Sequence, residues 1–292
     1  MRTKLLSWIL LCGVAFVFAV SASAQQGRVA GQIIAAKVRG TVTAVNTADN
    51  SRKELHDGDK LAQSYVVTTG QNASVILVFA NGATINLAQD STLSIDAFLQ
   101  DPFDTQYTVA DAKDEPSTSV TKLTLSRGEL VGNVKHLHKD AGSDFTVNTP
   151  VGAAGIRGTT FRIVFRPDAS GKVFFTLSTA EGEVILTGST TAQVPVSTGK
   201  EVVVTVDVNV AADGTVTLTS PPVVSAASNI SAGAQAAIAT AVQEIVTNNG
   251  AVFRSAVSGD IDNSSFRTES ANSHSATAEA PDTTPLAGSL GR

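Results

Sequence analysis

The chain has 292 residues, of which 42% are hydrophobic and 16% are charged, and its formal net charge at pH 7 is −5. This acidic balance argues against nucleic acids and anionic membranes as partners, because both carry negative charge. The single cysteine, Cys12, excludes an internal disulfide and any site built from several thiolates.

The first residues have the three parts of a secretory signal peptide. Two basic residues precede an apolar run over residues 5–20, and small residues occupy positions 21–24. We therefore predict a signal peptide over residues 1–24 and a mature chain that begins at Gln25. Cleavage would remove the only cysteine and leave no stable membrane span. The protein is then expected to be exported, either to the periplasm or out of the cell.

A pattern of short strands with frequent turn signals occupies residues 31–220, and helical periodicity is absent there. Asn81-Gly82 stands between two apolar runs, which is a strong hairpin signal and predicts a type I′ turn. Residues 101–119 are polar and irregular, so we predict a surface excursion. The fold class is all-β, and both a short β-helix and a twisted β-sandwich fit the strand spacing.

Few side chains in this domain point to catalysis or metal binding. His136 and His138 would face the same way on a strand, but lysines flank them and no third ligand is evident. The pair Asp57 and Asp59 is explained by a tight turn around Gly58, in which carboxylates accept backbone N–H groups. We therefore predict no catalytic residue, no cofactor and no metal, and a protein that is not an enzyme.

Residues 145–161 are the most informative stretch of the sequence. Two alternating runs flank a segment rich in proline and glycine, which predicts strand, turn and strand. The glycine spacing fits neither phosphate-binding pattern and no lysine follows it, so a structural turn is favoured over a phosphate site. Arg157 lies beside these glycines, where its guanidinium would hold a carboxylate or cap the carbonyl groups of a strand end.

A linker and one helix are predicted over residues 221–257. Two prolines end the β pattern, and Ser231 then caps a helix that runs to about Asn248. Its apolar face comprises Ile238, Val242, Ile245 and Val246. This face would dock on the same chain or on another molecule. Residues 258–292 have almost no apolar content, so we predict a disordered low-complexity tail.

Six sequence elements occur in the order found in the FecR domain. They are Gly40-Thr-Val, Leu55-x-x-Gly58-Asp59, Val67-x-Thr-x-Gly70, the hairpin from Ala73 to Leu87, Leu125-x-x-Gly128-Glu129, and the segment from Thr149 to Phe161. Together they resemble the FecR domain over roughly residues 38–186. The most specific positions, for which the resemblance implies a structural role or a partner contact, are Thr149, Pro150, Gly152, Arg157, Gly158, Thr159 and Phe161.

The resemblance to FecR implies an all-β extracytoplasmic domain. In the best-known members it implies a sensor that receives a signal from an outer-membrane siderophore receptor and regulates a sigma factor. Those regulators carry a cytoplasmic anti-sigma segment and a transmembrane helix ahead of the domain, whereas this sequence has a signal peptide there. We therefore do not expect direct control of a sigma factor. We expect a stand-alone exported FecR-domain protein.

Two functions follow from these observations. The first is a non-enzymatic exported protein that binds a protein partner in the cell envelope, in extracytoplasmic signalling, by strand addition or loop contact. The alternative is a structural surface or matrix protein that self-assembles through its helix and tail. The segment after Pro221 separates the two, because only the second function depends on it.

Overall fold

The computed structural model describes residues 27–166, 171–188, 193–211, 216–247 and 250–261. The predicted signal peptide and most of the predicted tail lie outside these described residues. Strands make up most of the described part, and it contains one α-helix. The predicted all-β class with a single helix is confirmed.

The elements are numbered in chain order. They are β1 (Val29–Ala30), β2 (Ile33–Arg39), β3 (Val42–Asn46), β4 (Arg52–Glu54), β5 (Lys60–Leu61), β6 (Tyr65–Thr69), β7 (Ser74–Phe79), β8 (Thr84–Leu87), β9 (Thr92–Gln100), β10 (Tyr107–Thr108), β11 (Ser119–Asn133), a 3₁₀ turn (Lys139–Ala141), β12 (Asp144–Thr149), β13 (Gly152–Ile156), β14 (Thr160–Phe165), β15 (Lys172–Glu181), β16 (Glu183–Gly188), β17 (Val194–Ser197), β18 (Lys200–Val210), β19 (Val216–Leu218), β20 (Val223–Val224), β21 (Ser228–Asn229), α1 (Ala232–Thr247), β22 (Ala251–Ser255) and β23 (Ser258–Ile261).

Most of the strands form two large sheets. Sheet one has the order β4-β3-β6-β9-β11-β12-β13-β16-β17, with β1 beside the end of β9. Sheet two has the order β5-β2-β7-β8-β11-β14-β15-β18, and β20 and β21 pair with the far side of β18. Every described strand pairing is antiparallel except that of β11 with β12. A parallel β-helix would have parallel ladders throughout. Of the two folds predicted from the sequence, the structure therefore shows the β-sandwich.

The two sheets face each other across one hydrophobic core. The ring centroid of Phe79 in sheet two lies 5.2 Å from that of Phe98 and 6.3 Å from that of Phe145, both in sheet one, and the rings meet edge to face. All three side chains are fully buried. Successive side chains of a strand point to opposite faces, so the alternating sequence pattern turns one face of each sheet inward.

Strand β11 belongs to both sheets. Its first part pairs with β9 and β12, and its last part, from Gly128 onward, pairs with β14 and then also with β8. Gly128 has a φ of +107°, and a Cβ at this position would lie 2.1 Å from the hydroxyl oxygen of Ser91. The change of sheet therefore requires glycine at this position.

The hairpin predicted around Asn81-Gly82 joins β7 to β8, but the predicted turn type is wrong. The N–H of Phe79 donates to the carbonyl of Ala83 at 2.9 Å, so the loop has three residues, and of these only Gly82 has a positive φ. A type I′ turn needs a positive φ at Asn81 as well. The buried Asn81 amide instead donates to two hydroxyl groups on β11, at 3.0 and 3.2 Å, and ties the turn to that strand.

The segment 101–119 is more ordered than its composition indicates. It contains β10, which pairs with β22, and it buries Val109 fully. Ser258–Ile261, which composition placed in the disordered tail, forms β23 beside β22. These three strands form a small third sheet, which is joined to the sandwich by a 2.8 Å bond from the Gln32 N–H to the Ala256 carbonyl.

Helix α1 begins directly after Ser231, and its cap is as predicted, because the Ser231 hydroxyl accepts the N–H of Ala234 at 3.4 Å. Before the helix, β20 and β21 extend sheet two past residue 220, so the predicted linker includes part of the β-domain. The buried residues of the helix are Ala234, Ile238, Ala241 and Ile245. Val246, predicted on the same face, is 67% exposed, since it lies about 100° around the helix from Ile245.

Candidate functional site

The segment from Thr149 to Phe161 forms a hairpin in sheet one and then crosses to sheet two. Thr149 pairs with Gly152, and Pro150-Val151 form the two-residue loop between them. The Thr149 hydroxyl donates to the Gly152 carbonyl at 2.9 Å. Gly152 has a φ of +153°, and a Cβ there would lie 2.6 Å from the Thr187 carbonyl oxygen of β16. These residues fix the hairpin and its close approach to the next strand.

Gly158 and Thr159 make the crossing between the sheets. Gly158 has a φ of +62°, and a Cβ there would lie 2.8 Å from the ring of His136. The buried Thr159 accepts the N–H of Val134 at its carbonyl, at 2.9 Å. The backbone of the crossing is therefore packed against the residues that follow β11.

Phe161 anchors the far side of the crossing. Its side chain is fully buried, and its ring covers Gly132 so closely that a Cβ at Gly132 would lie 2.5 Å from the ring. Burial of a side chain of this size contributes about 2–3 kcal/mol to folding. Six of the seven motif positions therefore have a structural role. They form the hairpin loop, provide its turn geometry, allow close packing or fill the core.

Arg157 is the exception, because its side chain is 57% exposed. Its guanidinium lies 3.8 Å from the Glu183 carboxylate. With Lys139 and Asp144, whose charged groups are 3.9 Å apart, Arg157 lines a shallow hollow of about 230 Å³. Burial lowers the pKa of Lys139, Asp144 opposes this shift, and the Arg157 guanidinium adds to it. The hollow presents two cations to solvent.

His136 and His138 do not form a pair of metal ligands. His136 Nδ1 lies 3.5 Å from Asp114, and His138 Nδ1 lies 3.6 Å from Glu115, so each imidazole faces a different carboxylate. Across the part of the chain that the structure describes, no group of three or more His, Cys, Asp or Glu side chains is placed to hold a metal ion.

Glu115 is a buried carboxylate that the sequence did not reveal. Its Oε1 accepts the N–H of His138 at 2.7 Å and the hydroxyl of Ser143, and its Oε2 accepts the hydroxyl of Ser119 at 2.6 Å. The network ties the loop that contains the 3₁₀ turn to β11. Glu115 stands in a polar run typical of solvated loops, and no local pattern marks such a residue as buried.

A groove of about 570 Å³ separates α1 from the outer face of sheet two. Glu244 of the helix accepts hydrogen bonds from Arg39 at 2.8 Å and from the Asn86 amide at 3.0 Å. Opposite, the Glu129 carboxylate accepts a 2.7 Å bond from Arg162. Both carboxylates in the groove are therefore already paired with the protein, and they hold the helix and the sheet in place.

The fold and the motif together define an all-β sandwich domain whose characteristic segment carries the chain from one sheet to the other. Residues 65–185, from β6 into β16, match the family model described as FecR protein. This part of the chain is therefore similar to the FecR protein family. None of the described helices is long and apolar enough to cross a lipid bilayer.

Two solved structures, each titled as a candidate anti-sigma factor from Parabacteroides distasonis ATCC 8503, are similar to the chain at 12% identity. The first covers 53% of this chain with a TM-score of 0.35, and the match spans 58% of that structure's own length. The second covers 72% of this chain and 91% of its own, with a TM-score of 0.38. Likeness this weak does not transfer a function. Comparison with curated proteins gives no match.

Proposed function

We propose that this chain is a non-enzymatic FecR-domain protein that, after export, binds a protein partner in the cell envelope as part of extracytoplasmic signalling. The match of residues 65–185 to the FecR protein family is the observation that carries the proposal. The predicted signal peptide over residues 1–24 supports export to the periplasm or beyond.

Arg157 is the residue of the motif that we assign to the partner contact. Its side chain is charged and exposed, whereas the other six motif positions have structural roles. An exposed pair such as Arg157 with Glu183 contributes at most about 1 kcal/mol, so the guanidinium exchanges it readily for a carboxylate of a partner. Lys139 lies next to it and adds to the attraction for an acidic group.

Two observations support binding over catalysis or self-assembly. The carboxylates Glu129 and Glu244 are paired with cations, and Glu115 is buried, so none of the three is placed as an accessible general acid or base. The apolar face of α1 is buried against its own chain, which removes the main argument for the helix as an assembly element. The net charge of −5 continues to disfavour nucleic acid.

The proposal is tested by crosslinking in intact cells. The tagged full chain is expressed in its native host, crosslinked, purified and analysed by mass spectrometry, beside the variants Arg157→Glu and Arg254→Glu. Arg254 is a matched control, because it is 67% exposed and also paired with a carboxylate, that of Asp260. We expect one stoichiometric envelope protein, reduced about fivefold or more only by Arg157→Glu.

Two other outcomes of this experiment would change the proposal. Recovery of multimers of this chain alone would reject the partner proposal in favour of the self-assembling structural protein. Equal recovery of a partner by both variants would retain partner binding but remove Arg157 from the contact.

A further inference from the structure

A further pocket, of about 280 Å³, lies beside Gly158 where the chain crosses between the sheets. Its lining residues include Lys113, Lys135 and His136, which come from two neighbouring segments. These segments are held together by a backbone bond in which the His136 N–H donates to the Lys113 carbonyl at 3.0 Å. The two lysines are therefore brought together by the fold and do not rest on a flexible tail.

The two lysines lack carboxylate partners in the described part of the chain, since neither takes part in any of its ion pairs or hydrogen bonds through its ammonium. His136 faces Asp114 at 3.5 Å. Glu181 also lines the pocket and opposes its positive charge, and Asp111 acts on Lys135 without contacting it. The lining still carries more positive than negative charge, in a chain whose overall charge is negative.

Lys135 is held in place and partly removed from water. Its stem packs on the turn between β7 and β8, where a Cβ at Gly82 would lie 2.9 Å from the Lys135 Cγ. Burial lowers the pKa of Lys135, and Asp111 only partly opposes this. A desolvated ammonium without a contacting carboxylate gains more from an arriving anion than a solvated lysine does.

Thr159 provides an independent observation at the same place. It forms part of the pocket wall, it is 2% exposed, and its hydroxyl makes no hydrogen bond within the described residues. A buried hydroxyl without a partner is unusual in a folded protein and marks this part of the pocket wall as a place where the polar groups are not fully satisfied by the chain itself.

We propose that this pocket binds an anionic oxygen group, a carboxylate or a phosphate. The ammonium groups of Lys113 and Lys135 neutralise the anion. The volume suits one such group with the atoms that carry it. This site is separate from the hollow at Arg157, and it does not depend on the identity of any protein partner.

The test is a titration of the folded full chain, with its lysine side chains labelled for NMR. Inorganic phosphate is one probe, and N-acetylglutamate amide is the other. We expect saturable binding of at least one probe, accompanied by a rise of the Lys135 pKa towards its ordinary value. Lys135→Gln should weaken binding about tenfold, and Glu181→Gln should strengthen it about threefold, because each changes one charge at the pocket.

Lys60→Gln is the matched control, since Lys60 is an exposed lysine on β5 and does not line this pocket. It should leave binding unchanged, and Lys113→Gln replaces Lys135→Gln if the latter does not fold. Saturation by phosphate alone identifies a phosphate site, and saturation by the glutamate probe alone identifies a carboxylate site. The proposal is overturned if neither probe saturates, if the Lys135 pKa does not move, or if Lys60→Gln weakens binding equally.

Discussion

Phe161 and Phe174 lie on neighbouring strands, β14 and β15, but the first is fully buried and the second is 50% exposed. We expect Phe161→Ala to lower the free energy of unfolding by about 3–5 kcal/mol, because it leaves a cavity over Gly132. Phe174→Ala should cost less than about 1 kcal/mol. Urea denaturation measures both. Similar losses for the two variants would contradict a core role for the motif phenylalanine.

Tyr107 should make the free energy of unfolding depend on pH in the alkaline range. Burial raises the pKa of Tyr107 well above its usual range, and the Glu115 and Asp114 carboxylates add to the shift. Below about pH 10 the phenol is neutral in both the folded and the unfolded chain. Above it the unfolded chain loses the proton and the folded chain keeps it, so stability falls as the pH rises. We expect a loss on the order of 1 kcal/mol near pH 11.

The measurement is urea denaturation between about pH 9 and pH 11 of the natural chain and of Tyr107→Phe. The variant also loses a 2.9 Å bond from the phenol to the Asp114 carbonyl, which lowers stability at every pH below the transition. Lysine titrations are common to both proteins, so the difference in slope isolates Tyr107. Identical slopes would show that the phenol ionises normally in the folded chain.

Among the elements, helix α1 depends on a narrow buried stripe. Ile238 packs with Ile230 and Ala234 in a small cluster, whereas Val246 is exposed. Ile238→Ala should lower the stability of the helix by about 2 kcal/mol or more, and Val246→Ala should change it by less than about 0.5 kcal/mol. Hydrogen exchange of the helix amides reports the effect. If protection falls equally in both variants, the helix is not held by this stripe.

The elements also show how far the sequence can be interpreted. The turn around Gly58 was predictable in part, because the Asp59 carboxylate accepts the N–H of His56 within the turn at 2.8 Å. The Asp57 carboxylate instead accepts the N–H of Val38 on β2 at 2.7 Å, which is a contact between distant residues. The cap at Ser231 and the hairpin at Asn81-Gly82 follow from equally local chemistry. Local patterns therefore located most strands and the helix.

What the sequence did not predict depends on contacts between distant residues. Strand β23 forms because β22 offers it a pairing partner, although its own composition is polar. Asn81 is buried by β11, which changes the turn type. The partners of Glu115 and the lysines of the anion pocket come from separate segments. The hydrophobic periodicity of strands and helices carries no information about such long-range contacts.

For the whole molecule, the end of the described chain is part of the folded unit. Ala251 and Phe253 of β22 are fully buried and belong to the main core. A chain that ends at residue 220 should therefore be strongly destabilised, whereas one that ends at residue 261 keeps every described contact and should unfold at the same urea concentration as the full chain. Equal stability of all three chains would show that the third sheet and helix are dispensable.

The sharing of β11 between the two described sheets has a mechanical consequence. A force that separates either sheet must load Ser119–Asn133, because β11 is hydrogen bonded within each of them. The two sheets then cannot be pulled apart one after the other, and under tension the sandwich should fail in one cooperative rupture. Optical tweezers attached to the two ends of the domain would record one large extension, and two separate steps would show that the shared strand does not couple the sheets.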